Sequence, residues 1–318
     1  MLRRFSKHGP LTRVAIQVAE VLATALGVVT VVFILIRLAG DPVAAMLPAG
    51  ASVAQVDQLR SELGYDNPLI VQYFVFLRDL LFAGGGDSTM YSIPAMEVVL
   101  ERAGATVSLA VIGLAVSVVI GCVLGLVAAL RRGGAIDTAV LIGSSIAAAM
   151  PSFWIGIILI LVFAVQLNWL PVGGWESPGA FVLPVLTLVF FIASSIARVF
   201  RSSLLSTLNQ DYVKMARSKG LSETYVVLRH IAPNALLPLI TVIGLQMGSL
   251  LGGAVVTEVV FSWPGIGQLM VQAIETRDFP VIQTGALVLG LAFILVNLLT
   301  DAMYGLADPR VRKKVEVN

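Results

Sequence analysis

Six stretches of this chain run for twenty or more residues with almost no charge, and they limit the fold more than any other feature. Arg13 to Arg37 holds only Glu20. The other windows run from Arg102 to Arg131, Asp137 to Glu176, Glu176 to Arg198, Arg229 to Glu258, and Asp278 to Asp301. A helix rises about 1.5 Å per residue, so about 20 apolar residues cross about 30 Å of hydrocarbon. The windows predict spans near 14–36, 104–130, 137–165, 180–199, 236–258 and 281–303. The fold class that follows is an all-α integral membrane protein with six transmembrane helices.

Composition agrees. Hydrophobic types make up 58% of the 318 residues and charged types 13%, against about 25% charged in a soluble domain. The single cysteine, Cys122, excludes a disulfide framework and a cysteine-rich metal site. Only two histidines occur, His8 and His230, and H-E-x-x-H, G-x-x-x-x-G-K-[ST] and G-x-S-x-G are all absent. The chain is therefore expected to be neither a hydrolase nor a self-contained ATPase, and to hold no metal or cofactor. Arg3, Arg4 and Lys7 before an apolar run, with Ala23-Thr24-Ala25 after it, imitate a signal peptide. The apolar run continues to Ile36, past a signal core of about 7–15 residues, so a retained span is expected.

Basic residues set the orientation. With the N-terminus inside, 16 of the 21 Lys and Arg fall on inner segments. The outer five are Arg37, Arg60, Arg78, Arg102 and Arg277. This bias puts both termini in the cytoplasm. Asn168 to Trp175, with Trp169 and Trp175, reads as an interfacial loop after the third span.

The outer segment 37–103 contains two short amphipathic helices. The first has Ser52 as N-cap, Val53, Val56, Leu59 and Leu63 as its apolar stripe, and Gly64 as its stop. The second opens at Asn67-Pro68, carries Ile70, Phe74, Leu77 and Leu81 on one face, and ends at Gly84-Gly85-Gly86. A folded cap and a surface for a soluble partner are both open readings. The chain divides at this point into 1–103, the first span with its outer segment, and 104–318, the remaining five spans.

The inner segment 209–234 is the most specific stretch. Asn209 or Asp211 starts a helix, Lys219 suits its C-terminal end, and Gly220 stops it in a left-handed conformation. Ser222 caps a second helix with Glu223 in its first turn, ending near Arg229 and His230 before Pro233. Tyr212, Met215 or Ala216, and Lys219 share one face of the first helix.

Within the spans, Gly121 and Gly125, and Gly244, Gly248 and Gly252, repeat at four-residue spacing and favour close helix packing. Pro151 is expected to kink the third span. Polar groups there are few: Gln246, Ser249, Asn297 and Thr300, with Asp301 near an inner end. Gln246, Ser249 and Asn297 are candidates for a substrate pathway. The absence of several midplane carboxylates or histidines argues against a proton relay.

The run from Asp211 to Leu221, followed by His230 and Pro233-Asn234-Ala235-Leu236-Leu237-Pro238, resembles the coupling loop of binding-protein-dependent ABC permeases. Gly40-Asp41-Pro42, Leu63 to Leu69, Phe261 to Gly267, Arg277-Asp278-Phe279-Pro280 and Asp308 to Arg312 resemble further segments of the dipeptide/oligopeptide branch. They match its first permease type, with the longer outer loop. The resemblance implies a type I ABC importer permease fold in the bacterial inner membrane, with no catalysis on this chain. It implies docking of an ATPase through Tyr212, Met215, Ala216, Lys219, Gly220 and Leu221. It also implies a second permease subunit, two cytoplasmic ATPase subunits carrying ATP and Mg, and an extracytoplasmic binding protein. Related permeases import dipeptides, oligopeptides, glutathione, nickel chelates or sugars. Peptide-branch relatives commonly carry threonine where Met215 stands. An ATP-independent secondary transporter or channel is the rival of another class.

Overall fold

The computed structural model describes residues 10–38, 43, 47, 51–62 and 64–307. The basic residues before Pro10, Gly40-Asp41-Pro42, Leu63 and the Asp308–Arg312 tail lie outside the described residues, as do the side chains of Arg13 and Asp301. Among the described residues every regular element is helical. In chain order these are α1 (Pro10–Leu38), α2 (Val53–Glu62), α3 (Leu69–Phe82), α4 (Ala95–Leu130), α5 (Ala135–Ala149), α6 (Ser152–Leu159) and α7 (Val182–Leu208). They continue with α8 (Asp211–Ser218), α9 (Glu223–Val226), α10 (Ala232–Gly253), α11 (Val255–Val260), α12 (Ile266–Thr276) and α13 (Phe279–Ala307). Five described helices are long and apolar enough to cross a membrane, and a sixth span results if α5 and α6 are counted as one bent span.

Two spans differ from expectation. The third is broken at Pro151 rather than kinked. Met150 and Pro151 are extended (ψ 135° and 136°), and the helices on either side meet at 102°. The proline ring disfavours helical geometry at the residue before it, which ends α5 at Ala149. The segment then runs on from α6 as a π-helix, Ile160–Gln166. The second inner helix also does not stop before Pro233. It passes from α9 through a π-helical segment, Val227–Ile231, into α10. Pro233 lies in the first turn of α10, where a missing N–H costs little. At the outer end α10 stops at Gly253, short of the expected 258, and α11 follows.

The chain forms two compact units. One comprises Val107–Trp263 and the described part of Leu295–Asn318; the other comprises the described part of His8–Thr106, with Pro264–Ile294. The units meet along the chain at Thr106/Val107, Trp263/Pro264 and Ile294/Leu295, so 264–294 groups with the N-terminal unit.

In the larger unit α7 is the central strut. Of its most apolar window 67% is buried within the chain, against 28% or less in the other four long spans. Glycines of α4 let it approach α7. A Cβ on Gly121 would stand 2.7 Å from Ile196 Cβ, and one on Gly125 would stand 2.8 Å from the Ala197 carbonyl. On α10, Gly244 lies against Thr300 of α13 and Gly248 is buried. α5 is tied to α7 by an ion pair: Arg201 donates from Nε and Nη2 to the Asp137 carboxylate at 2.5 and 2.7 Å. Gly133 N–H also donates to Asp137, and Arg198 donates to the Ser144 carbonyl at 3.0 Å. A core of Ile155, Leu159, Ala164, Leu183 and Phe261 fills the far end. Beside it Trp263 is fully buried, edge-on to Phe181 at 4.5 Å. Trp169 is exposed, and Trp175 is partly exposed with an edge contact to Trp263.

The second unit has its own core, in which Ala95, Val98 and Val99 of α4 meet Ile266, Leu269 and Ala273 of α12, with Val281 of α13. Thr106 Oγ1 accepts the Ile266 N–H at 2.8 Å, meeting a donor of the first turn of α12. α2 begins with the expected Ser52 cap, closed reciprocally by Gln55, and Gly64 turns left-handed after it (φ 71°). No residue of α2 is fully buried. α3 packs on α1 through a face other than the one expected. Tyr73 and Phe76 stand 5.1 and 5.4 Å from Phe33, and Leu80 is buried, while Ile70, Phe74 and Leu81 are exposed. The chosen face is the one whose polar groups also find partners. Tyr73 shares a hydrogen bond with Thr30, and Arg37 stacks on Phe33 and donates to Gln72. Pro68 occupies the N-cap position of α3 in place of the expected Asn67, so the helix starts one residue later than expected.

Candidate functional site

The inner element between the fourth and fifth spans is a helix, a left-handed glycine and a second helix. Gln210 is extended (ψ 147°) and starts α8 at Asp211. Lys214 Nζ donates to Asp211 at 2.9 Å. That bond holds Asp211 below the usual carboxylate range. Gly220, with φ 74°, reverses the chain after the Lys219 C-cap, and its N–H returns to the Arg217 carbonyl at 2.9 Å. Across this turn Arg217 pairs with Glu223, bridging α8 to α9. The bond to Glu223 raises the guanidinium pKa of Arg217.

Burial sorts the residues of this element. Val213 (0% exposed) and Ala216 (6%) face inward, as do Val226 and Ile231. Tyr212 (43%), Met215 (61%) and Leu221 (39%) face outward, together with Tyr225 and Leu228. Lys219 is exposed as well. Of the two alternatives for the shared face, Met215 therefore lies with Tyr212 and Lys219, while Ala216 packs beneath them. Tyr225 and Leu228 add further exposed apolar side chains to the element and were not singled out from sequence. The signal was present, because a tyrosine and a leucine three apart on a short helix must both be placed.

This element is not an independent loop. α9, the π-segment and α10 form one continuous helical rod, and Glu223–Leu251 qualifies as a single apolar span. The helix that follows the Gly220 turn is therefore the one that carries Gln246 and Ser249.

Those two residues line a cavity of about 340 Å³ in the larger unit. Pro151 and Ser152 at the 102° break, with Thr187 and Phe191 of α7, complete its wall. The break at Pro151 thus opens space beside α7 and α10. Asn297 is half-buried on α13 and does not line this cavity. The wall is mostly apolar with a few side-chain hydroxyls and one amide, a lining suited to an uncharged or weakly polar group.

Comparisons with known proteins agree with this geometry. Residues 121–313 match the model of the family described as binding-protein-dependent transport system inner membrane component. A putative peptide transport system permease protein of Brucella abortus is 39% identical over 305 residues, 93% of this chain and 97% of that one. A glutathione transport system permease protein of Pectobacterium atrosepticum is 40% identical over 297 residues, 92% of this chain and 95% of that one. Among solved structures, an inward-facing form of the MetNI methionine ABC transporter matches with a TM-score of 0.56 at 18% identity. The match covers 68% of this chain and 98% of that one. An amino acid ABC transporter matches with a TM-score of 0.50 at 17% identity, over 65% of this chain and 93% of that one.

Proposed function

We infer a role from one premise: this chain belongs to the family of binding-protein-dependent transport system inner membrane components, and is a multi-pass membrane protein with the type I importer permease fold. Its role is the translocation subunit of an ATP-driven importer of short peptides. The observation that carries this reading is the exposed Tyr212–Met215–Lys219 surface on a Gly220 turn that is continuous with α10. It provides a docking face outside the bilayer and a rigid connection from it to the cavity.

In this reading two cytoplasmic ATPase subunits hold ATP and Mg, and this chain neither binds nucleotide nor catalyses. A second, homologous permease completes the pathway, and an extracytoplasmic binding protein delivers the cargo. ATP shifts the assembly because the ATPase pair binds it better in one conformation than in the other. The α8–α9 element transmits that preference to α10. Peptide and glutathione relatives stand at 39% and 40% identity, and glutathione is itself a small peptide, so a short peptide describes both.

The test is site-specific cross-linking from Met215→Cys in a Cys122→Ala background. The expected product joins this chain to an ATPase subunit, with a yield that changes on ATP binding. Cross-links from Met215→Cys no more frequent than from the control Val123→Cys, exposed within the α4 span, would count against the docking role.

A further inference from the structure

We propose that the groove between α7 and α10 is this chain's share of the cargo pathway, and that Arg198 is stationed at its inner end to receive an anionic group, the carboxylate of a short peptide. The peptide part rests on the importer reading above; the groove and its charge do not.

Two hollows lie between these helices. The outer one is the cavity of about 340 Å³ with Thr187 and Phe191 from α7 and Gln246 and Ser249 from α10. The inner one is an open hollow of about 410 Å³, lined by Arg198, Ser202 and Ser206 of α7 and Pro238 of α10. They are aligned. Thr187, Phe191, Ser195, Arg198, Ser202 and Ser206 follow one another by three or four residues, which at 3.6 residues per turn keeps them on one face. Pro238, Val242, Gln246 and Ser249 do the same on α10. The two hollows are therefore the two ends of one strip, about 28 Å long at about 1.5 Å per residue. That length matches a hydrocarbon layer of about 30 Å.

The chemistry of the strip is wrong for lipid. Phe191 is the one apolar member of those six α7 positions. Polar groups at membrane depth face protein or a water path. The charge is also placed. Arg201, three residues on, is committed to Asp137 and does not line the hollow. Arg198 uses one N–H on the Ser144 carbonyl, which orients the guanidinium. A guanidinium has five donors in a fixed fork, so a bidentate contact to a carboxylate remains open to it. The hydroxyl-bearing Ser202 and Ser206 stand one and two turns further in. A short peptide leaving the outer cavity, where the lining carries no charge, would meet its first cation at Arg198.

The test uses the assembled transporter in inverted vesicles, with Cys122→Ala and Ser202→Cys. Thiosulfonate reagents of equal size and opposite charge are added from the cytoplasmic side. The anionic reagent is expected to react about fivefold faster or more, as one nearby cation in a half-wet site gives. Arg198→Gln removes the preference, and Arg198→Lys restores most of it. A short peptide slows the anionic labelling, and its C-terminal amide does not. No labelling by either reagent, or labelling indifferent to charge, overturns the groove. Labelling seen only after delipidation and blocked again by phosphatidylglycerol assigns the hollow to a lipid headgroup and overturns it too. Equal slowing by peptide and amide, or none, overturns the carboxylate assignment. Absence of ATP-driven peptide uptake with charge-selective labelling intact would instead refute the importer reading.

Discussion

Gly220→Val perturbs the inner element at its narrowest point. Gly220 has φ 74°, and a Cβ built there meets nothing within 4 Å. The substitution therefore creates no clash with the rest of the protein. Its whole effect is the backbone term: an L-residue in the left-handed region costs about 1–2 kcal/mol, and a β-branched one lies at the upper end. The opposing grip on the turn is weak. The Arg217–Glu223 pair that spans it has side chains 42% and 59% exposed, and exposed pairs contribute about 0–1 kcal/mol. A penalty of about 2 kcal/mol shifts the turn away from its docking shape by roughly 30-fold at 1.4 kcal/mol per decade. The turn precedes the Glu223–Leu251 span, and the buried Val213, Ala216 and Val226 keep their packing, so the assembled complex should form and melt as before. The assay is peptide uptake per ATP hydrolysed in reconstituted vesicles. Gly220→Val should lower that ratio about 5- to 30-fold, while Gly220→Asn, which tolerates left-handed geometry, should lower it far less. Equal impairment by valine and asparagine, or none by either, would refute the reasoning.

Other consequences follow from the packing. Gly125→Leu drives a side chain into backbone of α7, with the Ala197 carbonyl 2.8 Å and Arg201 N 3.2 Å from the new Cβ; a loss of about 1–3 kcal/mol and a lower melting temperature in detergent are expected. Arg201→Ala leaves the Asp137 carboxylate with the Gly133 N–H but without its guanidinium, so a lower melting temperature is expected, and the double replacement Asp137→Leu with Arg201→Met should recover most of the loss by thermal melting. Asp278→Ala removes the acceptor of Ser88 Oγ (2.5 Å) and of Met90 and Val281 N–H; hydrogen exchange should rise at 88–91 and 279–282 for a loss of about 1–3 kcal/mol. Asp211 has a depressed folded pKa, so its contribution is complete above the unfolded value and is lost as pH falls through the folded one. Exchange protection of α8 should hold at pH above about 4 and fall below it; protection constant down to pH about 2 would contradict the Lys214 contact.

The spans were legible because lipid imposes a length and forbids charge, so Arg102 to Arg131 and Asp278 to Asp301 announce themselves. The Gly220 turn was legible for a local reason: a left-handed stop needs a residue without Cβ, and the cap at Ser222 follows. What the sequence withheld was set by distant partners. α3 turns Tyr73 and Phe76 to α1 because Thr30, Phe33 and Arg37 are there to meet them, whereas Ile70 and Phe74 are at least as apolar and stay exposed. Asp137 and Arg201 lie 64 residues apart, beyond any periodic pattern. Pro151 signalled a disturbance but not its size; the 102° angle depends on Met150 adopting an extended backbone. The joining of α9 to α10 was hidden by Pro233, which reads as a stop in one register and as a first-turn residue in another.

Transport by purified components tests the central claim most directly. Liposomes are prepared with this chain alone, and with this chain together with its partner permease and ATPase subunits. Binding protein and labelled peptide are placed on the side facing the outer loops, with ATP on the other. The account predicts accumulation only in the complete assembly, only with hydrolysable ATP, and a marked fall with Gly220→Val. Accumulation by this chain alone, unaffected by ATP or by Gly220→Val, would contradict it and identify a self-sufficient carrier.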